Sequence, residues 1–507
     1  MTTRPQDKIN QVLDSSSRMV LATSVDGCSS CASVFYARDG DDLLFFTFNP
    51  TRKARQIHFN PAVQATIWPQ GEHGIRGVRV EGNCCRIKQP AAIKAAREKI
   101  LAVTNAFQQY MDDEFLDANG VTGYYRIKPT QITHIDFYAE SQFESLQFPE
   151  NRRPALVEAL DASKNRLLLW IQAVRAPFFS ATLIPLLLGA TIARGDLTEA
   201  GMVEAWNWKL FWLVVVGALA AHAGTNLAND YGDHVSGNDA LNRVPSPFNG
   251  GSRMIQAGLL APWKVLLAAI VCFVATIAVG LTLNQQLAGS AFAPTPLLYI
   301  GIAGCLLGAS YTLGPWRLGY HGLGEVAIAI GFGPVIVLGA HYVLSAPVAG
   351  AWNWVPALLA SIPLAAFVVL IVWINQFQDV PADRLVDKRN WVVRCAAMRV
   401  GTVRYERPLE LYRLLGYFGF GCVVLLSVAG VFDASIGTLY ALLALMPLPL
   451  LLYANRLGEN WLQDWNQADA DHQRLPYRLL KVNALTIGIH FTTGLLLVLA
   501  YTLRSPY

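Results

Sequence analysis

The sequence predicts two parts of different fold class: a small N-terminal β-barrel domain of the α+β class, and an all-α polytopic membrane bundle of about nine transmembrane helices. Residues 1 to about 160 are ordinary globular sequence, whereas beyond Leu167 apolar runs recur, each of roughly 18 to 25 residues and so long enough to cross a bilayer. The chain of 507 residues is 53% hydrophobic and 15% charged, which is lean in charge for a soluble enzyme.

The predicted barrel comes first in the chain. Its short segments alternate between apolar and polar residues and are separated by Gly, Asp, Asn and Pro, the pattern typical of strands and turns. The predicted strands cover 18–25, 31–37, 43–48, 62–68 and 76–82, and a helix is predicted at 90–107. We expect the barrel domain at 1–143, a polar linker at 144–165 and the membrane domain at 166–507.

The predicted membrane spans lie near 167–194, 209–229, 263–284, 296–313, 322–345, 352–376, 410–431, 434–454 and 482–503. Lys and Arg concentrate in the loops after the even-numbered spans and do not occur in the loops after the third, fifth and seventh. Because basic residues mark cytoplasmic loops, we expect a multi-pass protein of the cytoplasmic (inner) membrane with a cytoplasmic N-terminal domain. The opening residues have no apolar signal-peptide run, and the net charge of +4 gives no reason to expect a nucleic-acid partner.

Two acidic clusters carry the strongest functional signal. Each directly follows a long apolar run: Asn226-Leu-Ala-Asn-Asp230-Tyr-Gly-Asp233 and Asn375-Gln-Phe-Gln-Asp379-Val-Pro-Ala-Asp383. Carboxylates at the end of a spanning helix are costly unless they face a cavity and bind a cation. Their hard oxygen atoms suit Mg²⁺, which commonly bridges carboxylates to substrate phosphates. The clusters therefore indicate metal-diphosphate chemistry, and the alternative is that they are merely interfacial acids.

The spacing within each cluster supports this interpretation. On a helix, Asn226, Asp230 and Asp233 project from one face, and the second cluster repeats every fourth residue. Two such faces opposed across a bundle would grip a diphosphate through Mg²⁺ and polarise the leaving group. Pro381 is expected to kink or restart the second helix, because its ring clashes with the carbonyl group of Phe377.

These motifs resemble those of the UbiA superfamily of intramembrane prenyltransferases, over roughly residues 165–505. The matching segments are Arg175-Ala-Pro177, Asn229-Asp230-Tyr-Gly-Asp233 with Gly237 and Asp239, and Asp379-Val-Pro-Ala-Asp383. Further segments are similar to the 1,4-dihydroxy-2-naphthoate prenyltransferases of menaquinone synthesis: Gly250-Gly251-Ser252-Arg253, Tyr311-Thr-Leu-Gly314-Pro315 and Gly322-Leu-Gly324-Glu325. Pro381 and Val386-Asp387-Lys388 depart from the family pattern, in which a small residue and a Gly are usual.

The resemblance implies roles for individual residues. Mg²⁺ and diphosphate would be held by Asp230, Asp233, Asp379 and Asp383, with Asp239 and Asp387 as weaker candidates. Phosphate oxygens would be bound by Lys388, Arg253 and Arg389, although positive-inside topology also accounts for these basic residues. Asn226 and Asn375 would position carboxylates or water, or else form hydrogen bonds between helices. The Tyr311 ring would face the allylic cation, or else anchor the chain at the interface.

A basic turn stands out in the barrel domain, between the third and fourth predicted strands. It reads Thr47-Phe-Asn49-Pro-Thr51-Arg52-Lys53-Ala-Arg55-Gln-Ile, a turn followed by a short helix. Backbone N–H groups at a helix start favour phosphate, and Arg adds a planar fork of donors. The segment therefore predicts an anion site, with a solvated basic turn as the alternative.

This domain resembles the pyridoxamine-phosphate-oxidase-like split barrels that bind FMN. Besides the basic turn, the matching segments are Asn60-Pro61, Arg79-Val-Glu81-Gly82 and Tyr125-Arg-Ile-Lys-Pro129. The likeness implies that Arg52 and Lys53 contact the FMN phosphate and that the flavin is lined by Thr47, Thr51, Trp68 and Arg79. Relatives of this barrel also bind deazaflavin, haem or nothing, so the fold does not settle the activity.

Together the resemblances imply a fusion enzyme. Its membrane domain would transfer a polyprenyl group, with Mg²⁺, from a polyprenyl diphosphate in the bilayer to an aromatic acceptor, either 1,4-dihydroxy-2-naphthoate or, as the alternative, 4-hydroxybenzoate or another ring. A flavin domain would set the redox state of that ring, because a hydroquinone is nucleophilic and a quinone is not. Alternatively, the barrel is a sensing or dimerising module, with a homodimer formed through it. An ion-coupled transporter is the alternative of another class.

Overall fold

The computed structural model describes residues 4–49, 51–69, 76–105, 108, 122–139, 141–242, 246, 248, 251–345, 352–399, 402–433, 435–467, 470, 472 and 475–504. Gly250 of the glycine motif and residues 106–107 of the predicted helix lie outside these ranges. The chain divides into two units. The barrel unit is Met1–Gln172 with Met254–Ala261, and the membrane unit is Ala173–Arg253 with Pro262–Tyr507.

The described part of the barrel unit contains a seven-stranded sheet in the order β3-β2-β1-β4-β5-β6-β7, and a further pairing of β3 with β6 closes it into a barrel. The strands are β1 Arg18–Val25, β2 Cys28–Asp39, β3 Asp42–Phe48, β4 Ala62–Ile67, β5 Arg76–Arg86, β6 Thr122–Asp136 and β7 Phe143–Gln147. The helices are α1 Pro5–Ser15, α2 Arg52–Phe59, α3 Pro90–Val103 and α4 Ala155–Ala173, with a 3-10 turn at Pro149–Asn151.

Alternating side chains build the barrel core, as the sequence pattern predicts. In β1, Met19, Leu21 and Thr23 are buried and the residues between them are not, because successive side chains of a strand point to opposite faces. All five predicted strands and the predicted helix are present. The interval expected as a linker contains β7 and the start of α4, and the domain boundaries themselves stay a prediction.

The membrane unit is built almost entirely from helices. They are α5 Ser180–Glu199, α6 Trp208–Val235, α7 Asn238–Leu241, α8 Pro262–Ala288, α9 Pro296–Ser310, α10 Gly324–Ile330, α11 Ile336–Ser345, α12 Val355–Leu385, α13 Trp391–Cys395, α14 Glu406–Phe432, α15 Leu448–Trp465, α16 Leu475–Arg478 and α17 Leu480–Arg504. Between them lie 3-10 turns at Ala176–Phe179, Val203–Ala205 and Leu439–Leu445, a π-turn at Gly331–Val335, and a hairpin of Ala397–Arg399 (β8) with Thr402–Arg404 (β9).

Eight helices of the described chain are long and apolar enough to cross a membrane. They are Ala176–Glu199, Trp208–Val235, Pro262–Ala288, Gly324–Ser345, Val355–Leu385, Glu406–Phe432, Leu439–Trp465 and Leu475–Arg504, and the shorter apolar helix Pro296–Ser310 covers the predicted fourth span. The predicted fold class is therefore confirmed, with one span shorter than expected. The first predicted span differs as well, because the chain breaks at Arg175 (φ 55°) between α4 and the 3-10 turn that precedes α5.

Helix α12 forms the centre of the bundle. In its most apolar window 78% of the residues are buried, against 11% in α8. A helix that is apolar on all sides and buried belongs to the interior of a bundle, whereas one that is apolar but uncovered suits contact with lipid. The second acidic cluster therefore lies at the end of the most enclosed span, where its carboxylates need partners within the protein.

Candidate active site

Asp230 lies near the end of α6 and is 3% exposed. It forms an ion pair with Arg175, and the backbone N–H of Ser252 donates to its carboxylate oxygens at 3.2 Å. Gly251 has a φ of 72°, and a side chain at this position would crowd the carboxylates of Asp230 and Asp239. Asp230 is thus held by the Arg175 cation and by the backbone at Ser252, which can come close because Gly251 has no side chain.

Asp233 pairs with the ammonium group of Lys388 at 3.0 Å, where both side chains are almost completely buried. The Tyr320 hydroxyl donates to Asp233 at 2.8 Å, and the Asn229 amide donates at 3.2 Å. Burial opposes the charge of Lys388, but the carboxylates of Asp233 and Asp383 raise the pKa of Lys388 well above its usual range. Burial and the charge of Asp233 raise the pKa of Tyr320 to about 12, so the hydroxyl remains a donor.

Asp239 lies on the short helix α7 and is 2% exposed. Burial and the neighbouring carboxylates of Asp233 and Asp230 raise the pKa of Asp239 well above its usual range, against the opposing effect of Arg175 and Arg253. The Arg253 guanidinium also donates to the backbone carbonyl group of Asp239. Three carboxylates this close together form a site that added positive charge would stabilise.

The second cluster is held by amide side chains. The Asn242 amide donates to Asp379 at 2.7 Å. Asp383 is 2% exposed, and its two oxygens accept hydrogen bonds from Asn238 at 2.9 Å and from Asn390 at 2.7 Å. Asn238 and Asn242 follow the first cluster in the chain, so the segment after α6 brings the two clusters together.

Helix α12 continues through Pro381 instead of restarting there. Proline has no N–H to donate to the carbonyl group of Phe377 four residues earlier. The Tyr405 hydroxyl donates to this carbonyl oxygen at 2.9 Å and satisfies the group inside the bundle. Asp379 and Asp383 therefore stay one helical turn apart, as the spacing predicts.

The carboxylates fit Mg²⁺ shared with a phosphate better than Mg²⁺ held by protein alone. Within the part of the chain that the structure describes, no group of three or more His, Cys, Asp or Glu side chains could hold a metal ion. Mg²⁺ usually keeps several other oxygen ligands besides one or two carboxylates, supplied by water and by substrate phosphates. The oxygen-only donor set of the two clusters suits this mode of binding.

Two cavities adjoin in the membrane unit. A polar cavity of about 220 Å³ is lined by Asp233 of the first cluster, by Asp379 and Asp383 of the second cluster and by Lys388, whereas Asp230 does not line it. An apolar cavity of about 570 Å³ is lined by side chains of α6, α8, α9 and α11. Both cavities share His222, Thr225, Tyr311, Ile328 and Phe332. A charged head group and a long apolar chain of one substrate would each find a matching environment here.

The remaining predicted residues of the membrane unit divide into two groups. Asn226, Asn375 and Tyr311 line the polar cavity; Asn226 also donates to the carbonyl group of Val174 at 2.9 Å, and Asn375 accepts from Asn483 at 2.6 Å. The hydrogen bonds that both asparagines make to other segments agree with the alternative role considered for them. Away from the cavity, the exposed side chains of Arg389 and Asp387 pair with each other.

Several residues of the site escaped the sequence analysis. They are Tyr320, Asn238, Asn242 and Asn390, whereas Gln376 and Glu325 were noticed only as parts of motifs. Most are single polar residues in short loops, where no periodic pattern distinguishes them from ordinary loop residues. Polarity inside or next to a membrane span is the signal that would have found Gln376 and Glu325.

The basic turn of the barrel unit forms the compact arrangement that the sequence predicts. The buried Thr47 hydroxyl lies 3.3 Å from that of Thr51, which directly precedes α2. Arg52 donates to the carbonyl group of Ser29 at 3.0 Å, and burial lowers the pKa of Lys53. Because a nearby anion would favour the charged form of Lys53, the turn suits a phosphate.

Trp68 and Arg79 lie elsewhere in the barrel. Trp68 packs on Gly77, and Arg79 pairs with Glu81 at 3.3 Å. Thr47 on β3 lies opposite Gly123 of β6, and Arg79 on β5 lies opposite Thr133 of the same strand. These two positions of β6 are ten residues apart, which corresponds to roughly 33 Å along an extended strand. Thr47 and Arg79 are therefore far apart along the sheet in one copy of the barrel.

The segment Met254–Ala261 belongs to the barrel unit and packs beside α2. The Gln56 amide, which is completely buried, donates to the carbonyl groups of Gly258 and Cys28, both at 3.0 Å. Gly258 has a φ of 61°, and any side chain there would collide with the Arg52 guanidinium. A glycine is therefore required where this segment crosses the basic turn.

The membrane unit and the barrel unit each match a known protein family. Residues 182–475 match the UbiA prenyltransferase family, and residues 5–134 match the pyridoxamine 5'-phosphate oxidase family. Both matches agree with the resemblances that the motifs indicate.

Three individual proteins are similar to the membrane unit. A 1,4-dihydroxy-2-naphthoate octaprenyltransferase of Mycobacterium tuberculosis is 32% identical over 268 residues, which are 52% of this chain and 79% of that protein. The protein of the same name from Escherichia coli is 28% identical over 291 residues, 57% of this chain and 84% of that protein. A 2-carboxy-1,4-naphthoquinone phytyltransferase of Synechocystis is 27% identical over 244 residues, covering 48% and 71%.

Proposed function

This chain belongs to the UbiA prenyltransferase family, and we propose that it transfers a polyprenyl group from an allylic diphosphate to 1,4-dihydroxy-2-naphthoate. Its apolar helices make it a multi-pass membrane protein. We further propose that the barrel unit and both acidic clusters face the cytoplasm, because the basic loops lie on that side of the bundle.

One observation carries the proposal: the polar cavity with its acidic clusters adjoins an apolar cavity. The diphosphate would lie against Lys388 and the carboxylates, and the polyprenyl chain would extend past Tyr311 into the apolar cavity. The allylic carbon would then lie where the two cavities share side chains. This arrangement separates the charged leaving group from the chain that is transferred, as the reaction requires.

In the proposed reaction, the C–O bond between the allylic carbon and the diphosphate breaks, and a ring carbon of the acceptor forms the new C–C bond. Bound Mg²⁺, held by Asp230, Asp233, Asp379 and Asp383, would neutralise charge on the leaving diphosphate. Lys388 lies where it can contact phosphate oxygens directly, in an enclosed site where charge interactions are strong. The Tyr311 ring borders both cavities and would face the developing allylic cation.

The acceptor is proposed from the relatives. Three of them are named for a naphthoate or naphthoquinone acceptor, and the glycine and tyrosine motifs of this chain resemble those of the naphthoate prenyltransferases. 4-Hydroxybenzoate and homogentisate are the alternatives that the experiment below distinguishes.

We propose that the barrel unit binds FMN, with Arg52 and Lys53 at its phosphate. The partly buried Lys53 supports an anion here. Because Thr47 and Arg79 lie opposite positions ten residues apart on β6, a second copy of the barrel would have to complete the flavin site. Bound FMN would supply the redox chemistry that sets the redox state of the aromatic acceptor, since a hydroquinone is nucleophilic and a quinone is not.

Transfer is tested with full-length protein in detergent, labelled polyprenyl diphosphate and each of the three acceptors. We expect Mg²⁺-dependent prenylation of the naphthoate, and a loss of more than about 100-fold in kcat for Asp230→Asn and Asp379→Asn. The matched control is Asp464→Asn, because Asp464 pairs with Arg478 on the exposed surface. Prenylation of another acceptor would correct the substrate, whereas activity that persists in both aspartate variants would rule out the proposed site.

The flavin proposal is tested on the same preparation. We expect purified protein to carry FMN, the variant with both Arg52→Ala and Lys53→Ala to lose it, and cross-linking to show a dimer. A colourless but dimeric protein would favour the sensing or dimerising module. Unchanged transfer to a prereduced acceptor by the double variant would place the flavin outside the transfer step itself.

A further inference from the structure

Glu325 is a carboxylate in the membrane unit to which the proposed function gives no role. It is 1% exposed and lies in the wall of the polar cavity with Asn375 and Lys388. It enters the site on α10, at the start of a membrane span, and is far in the chain from both acidic clusters. An ionisable side chain inside a membrane protein is costly, and it usually serves the function when it faces a cavity.

The two carboxylate oxygens of Glu325 have different surroundings. Oε1 accepts hydrogen bonds from the Gln376 amide and from the backbone N–H of Trp391, both at 3.0 Å. Oε2 is buried and has no hydrogen-bond partner among the described residues. Leaving a buried acceptor unsatisfied is costly, and more so for a charged group. The carboxylate is therefore fixed through one oxygen while the other keeps its capacity to accept a proton.

The elements around Glu325 explain how it is positioned. Asn390 donates to Asp383, and the N–H of the next residue, Trp391, donates to Glu325. One turn of chain after α12 thus connects Glu325 to the second acidic cluster. On the other side, Gly324 packs against the Tyr311 ring, where a side chain would leave too little space.

Glu325 also lies near the place where the reaction must occur. Ile328 follows it by one helical turn on α10 and lines both cavities, as does Tyr311. If the diphosphate lies at the clusters and the polyprenyl chain in the apolar cavity, the allylic carbon lies beside these side chains. The ring of the acceptor must approach that carbon, which brings the acceptor next to Glu325.

We propose that Glu325 is the base that accepts the hydroxyl proton of the aromatic acceptor. This inference rests on the proposed prenyl transfer. The O–H bond of the acceptor breaks and its proton moves to Oε2 of Glu325. The electron pair moves into the ring, and a ring carbon forms the C–C bond as the allylic C–O bond breaks and diphosphate leaves. The attacked carbon then loses its carboxyl group as CO₂, or its proton to water, and the electron pair of the broken bond restores the aromatic ring and leaves a negative charge on the oxygen. Glu325 returns its proton to this oxygen, which re-forms the hydroxyl group and regenerates the carboxylate.

The other acids of the cavity are less suited to this role. Both oxygens of Asp383 accept hydrogen bonds from asparagines. Asp233 is bound by Lys388 and Tyr320. Glu325 is held by neutral donors on one oxygen only, and its buried Oε2 has no hydrogen-bond partner among the described residues, so this oxygen is open to a hydroxyl group of the acceptor.

The experiment compares wild type with Glu325→Gln and Glu325→Asp on a series of acceptors whose hydroxyl groups differ in acidity. For Glu325→Gln, we expect kcat to fall by about 100-fold or more with the least acidic acceptor. The loss should shrink below about 10-fold with an acceptor that is already ionised in solution, because no proton then has to be removed. Glu325→Asp should fall between these limits, and Glu199→Gln, an exposed acid paired with Arg504, serves as the control.

Affinity for an unreactive thiolodiphosphate analogue separates the possible failures. Normal analogue binding by Glu325→Gln, with a loss of kcat that depends on acceptor acidity, supports the proposal. An equal loss across the whole acceptor series overturns it and leaves Glu325 a structural role. If Glu325→Gln does not bind the analogue, the dependence of the kcat loss on acceptor acidity is measured for Glu325→Asp instead, and the same two outcomes support or overturn the proposal. Wild-type protein that binds the analogue but transfers to no acceptor would overturn the proposed function itself.

Discussion

The two units of this protein differ in how far their ion pairs are buried. In the barrel unit, Arg76 and Asp136 pair at 3.0 Å with the arginine side chain 54% exposed. In the membrane unit, Lys388 and Asp233 pair at the same distance with side chains 13% and 7% exposed. An exposed ion pair contributes about 0–1 kcal/mol, whereas losing one partner of a buried pair costs about 3–5 kcal/mol. Ion pairs buried at this cost are what the proposed chemistry of the membrane unit would require.

The largest expected effect is that of Lys388→Met, which leaves Asp233 buried without its cation. We expect destabilisation of about 3–5 kcal/mol and a loss of transfer of more than about 100-fold, measured by thermal unfolding in detergent and by the prenylation assay. Arg76→Gln is the matched control in the barrel unit. Equal effects of the two substitutions would contradict the contrast between the units.

Tyr320→Phe tests a single hydrogen bond to a buried charge. It removes the hydroxyl that donates to Asp233 at 2.8 Å but keeps the ring over which Arg317 lies at 3.7 Å. Hydrogen bonds to charged groups contribute about 1.5–3 kcal/mol, so transfer should fall by about 10-fold or more. Tyr299→Phe, at an exposed position, should change nothing, and wild-type activity in Tyr320→Phe would remove Tyr320 from the site.

Gln56→Leu tests the most enclosed polar group near the basic turn. The carbonyl groups of Cys28 and Gly258 lose their amide donor, and leaving such acceptors unsatisfied costs about 1–3 kcal/mol. Hydrogen exchange on the full-length protein should show faster exchange in β2 and in Met254–Ala261. The control Gln64→Leu, on the exposed face of β4, should leave the exchange rates of β2 and Met254–Ala261 unchanged. Slow exchange in Gln56→Leu would show that Met254–Ala261 is held by its apolar side chains.

The smallest expected effect concerns pH and the exposed pair of the barrel. A backbone hydrogen bond from Tyr138, helped by the charge of Arg76, lowers the pKa of Asp136. A carboxyl group whose pKa is lower in the folded state adds stability above its unfolded pKa of about 3.9 and loses it as the pH falls through the folded value. The stability difference between wild type and Asp136→Asn should therefore be below about 1 kcal/mol at pH 7 and vanish in acid. A difference that grows in acid would reverse the assigned sign.

Several elements followed from local pattern alone. The alternation in β1 predicted which residues are buried, and the apolar runs predicted the spans, because each signal depends only on neighbouring residues. Strands β6 and β7 were not predicted, since β6 places Lys128 and Pro129 inside a strand that its pairing with β5 and β3 supports. Arg175 also interrupts the first apolar run for a reason outside that run, its ion pair with Asp230.

The interpretation of Pro381 shows the same limit at the site. The sequence predicts a missing hydrogen bond at Phe377, which is correct, and a kink or restart of the helix there. The helix continues because Tyr405, on a distant segment, supplies the donor. A local rule describes the local cost, whereas the partner that offsets it is found only after the helices pack.

The sequence by itself determined the two fold classes, the spans and the positions of the four aspartates, because hydrophobic periodicity and residue chemistry are carried by the chain locally. Only the tertiary structure decided how each aspartate is held and by which asparagines the two clusters are bridged. It also decided that one oxygen of Glu325 has no hydrogen-bond partner among the described residues. These features depend on distances between residues far apart in the chain, and inside a bilayer every buried polar group must find its partner across those distances.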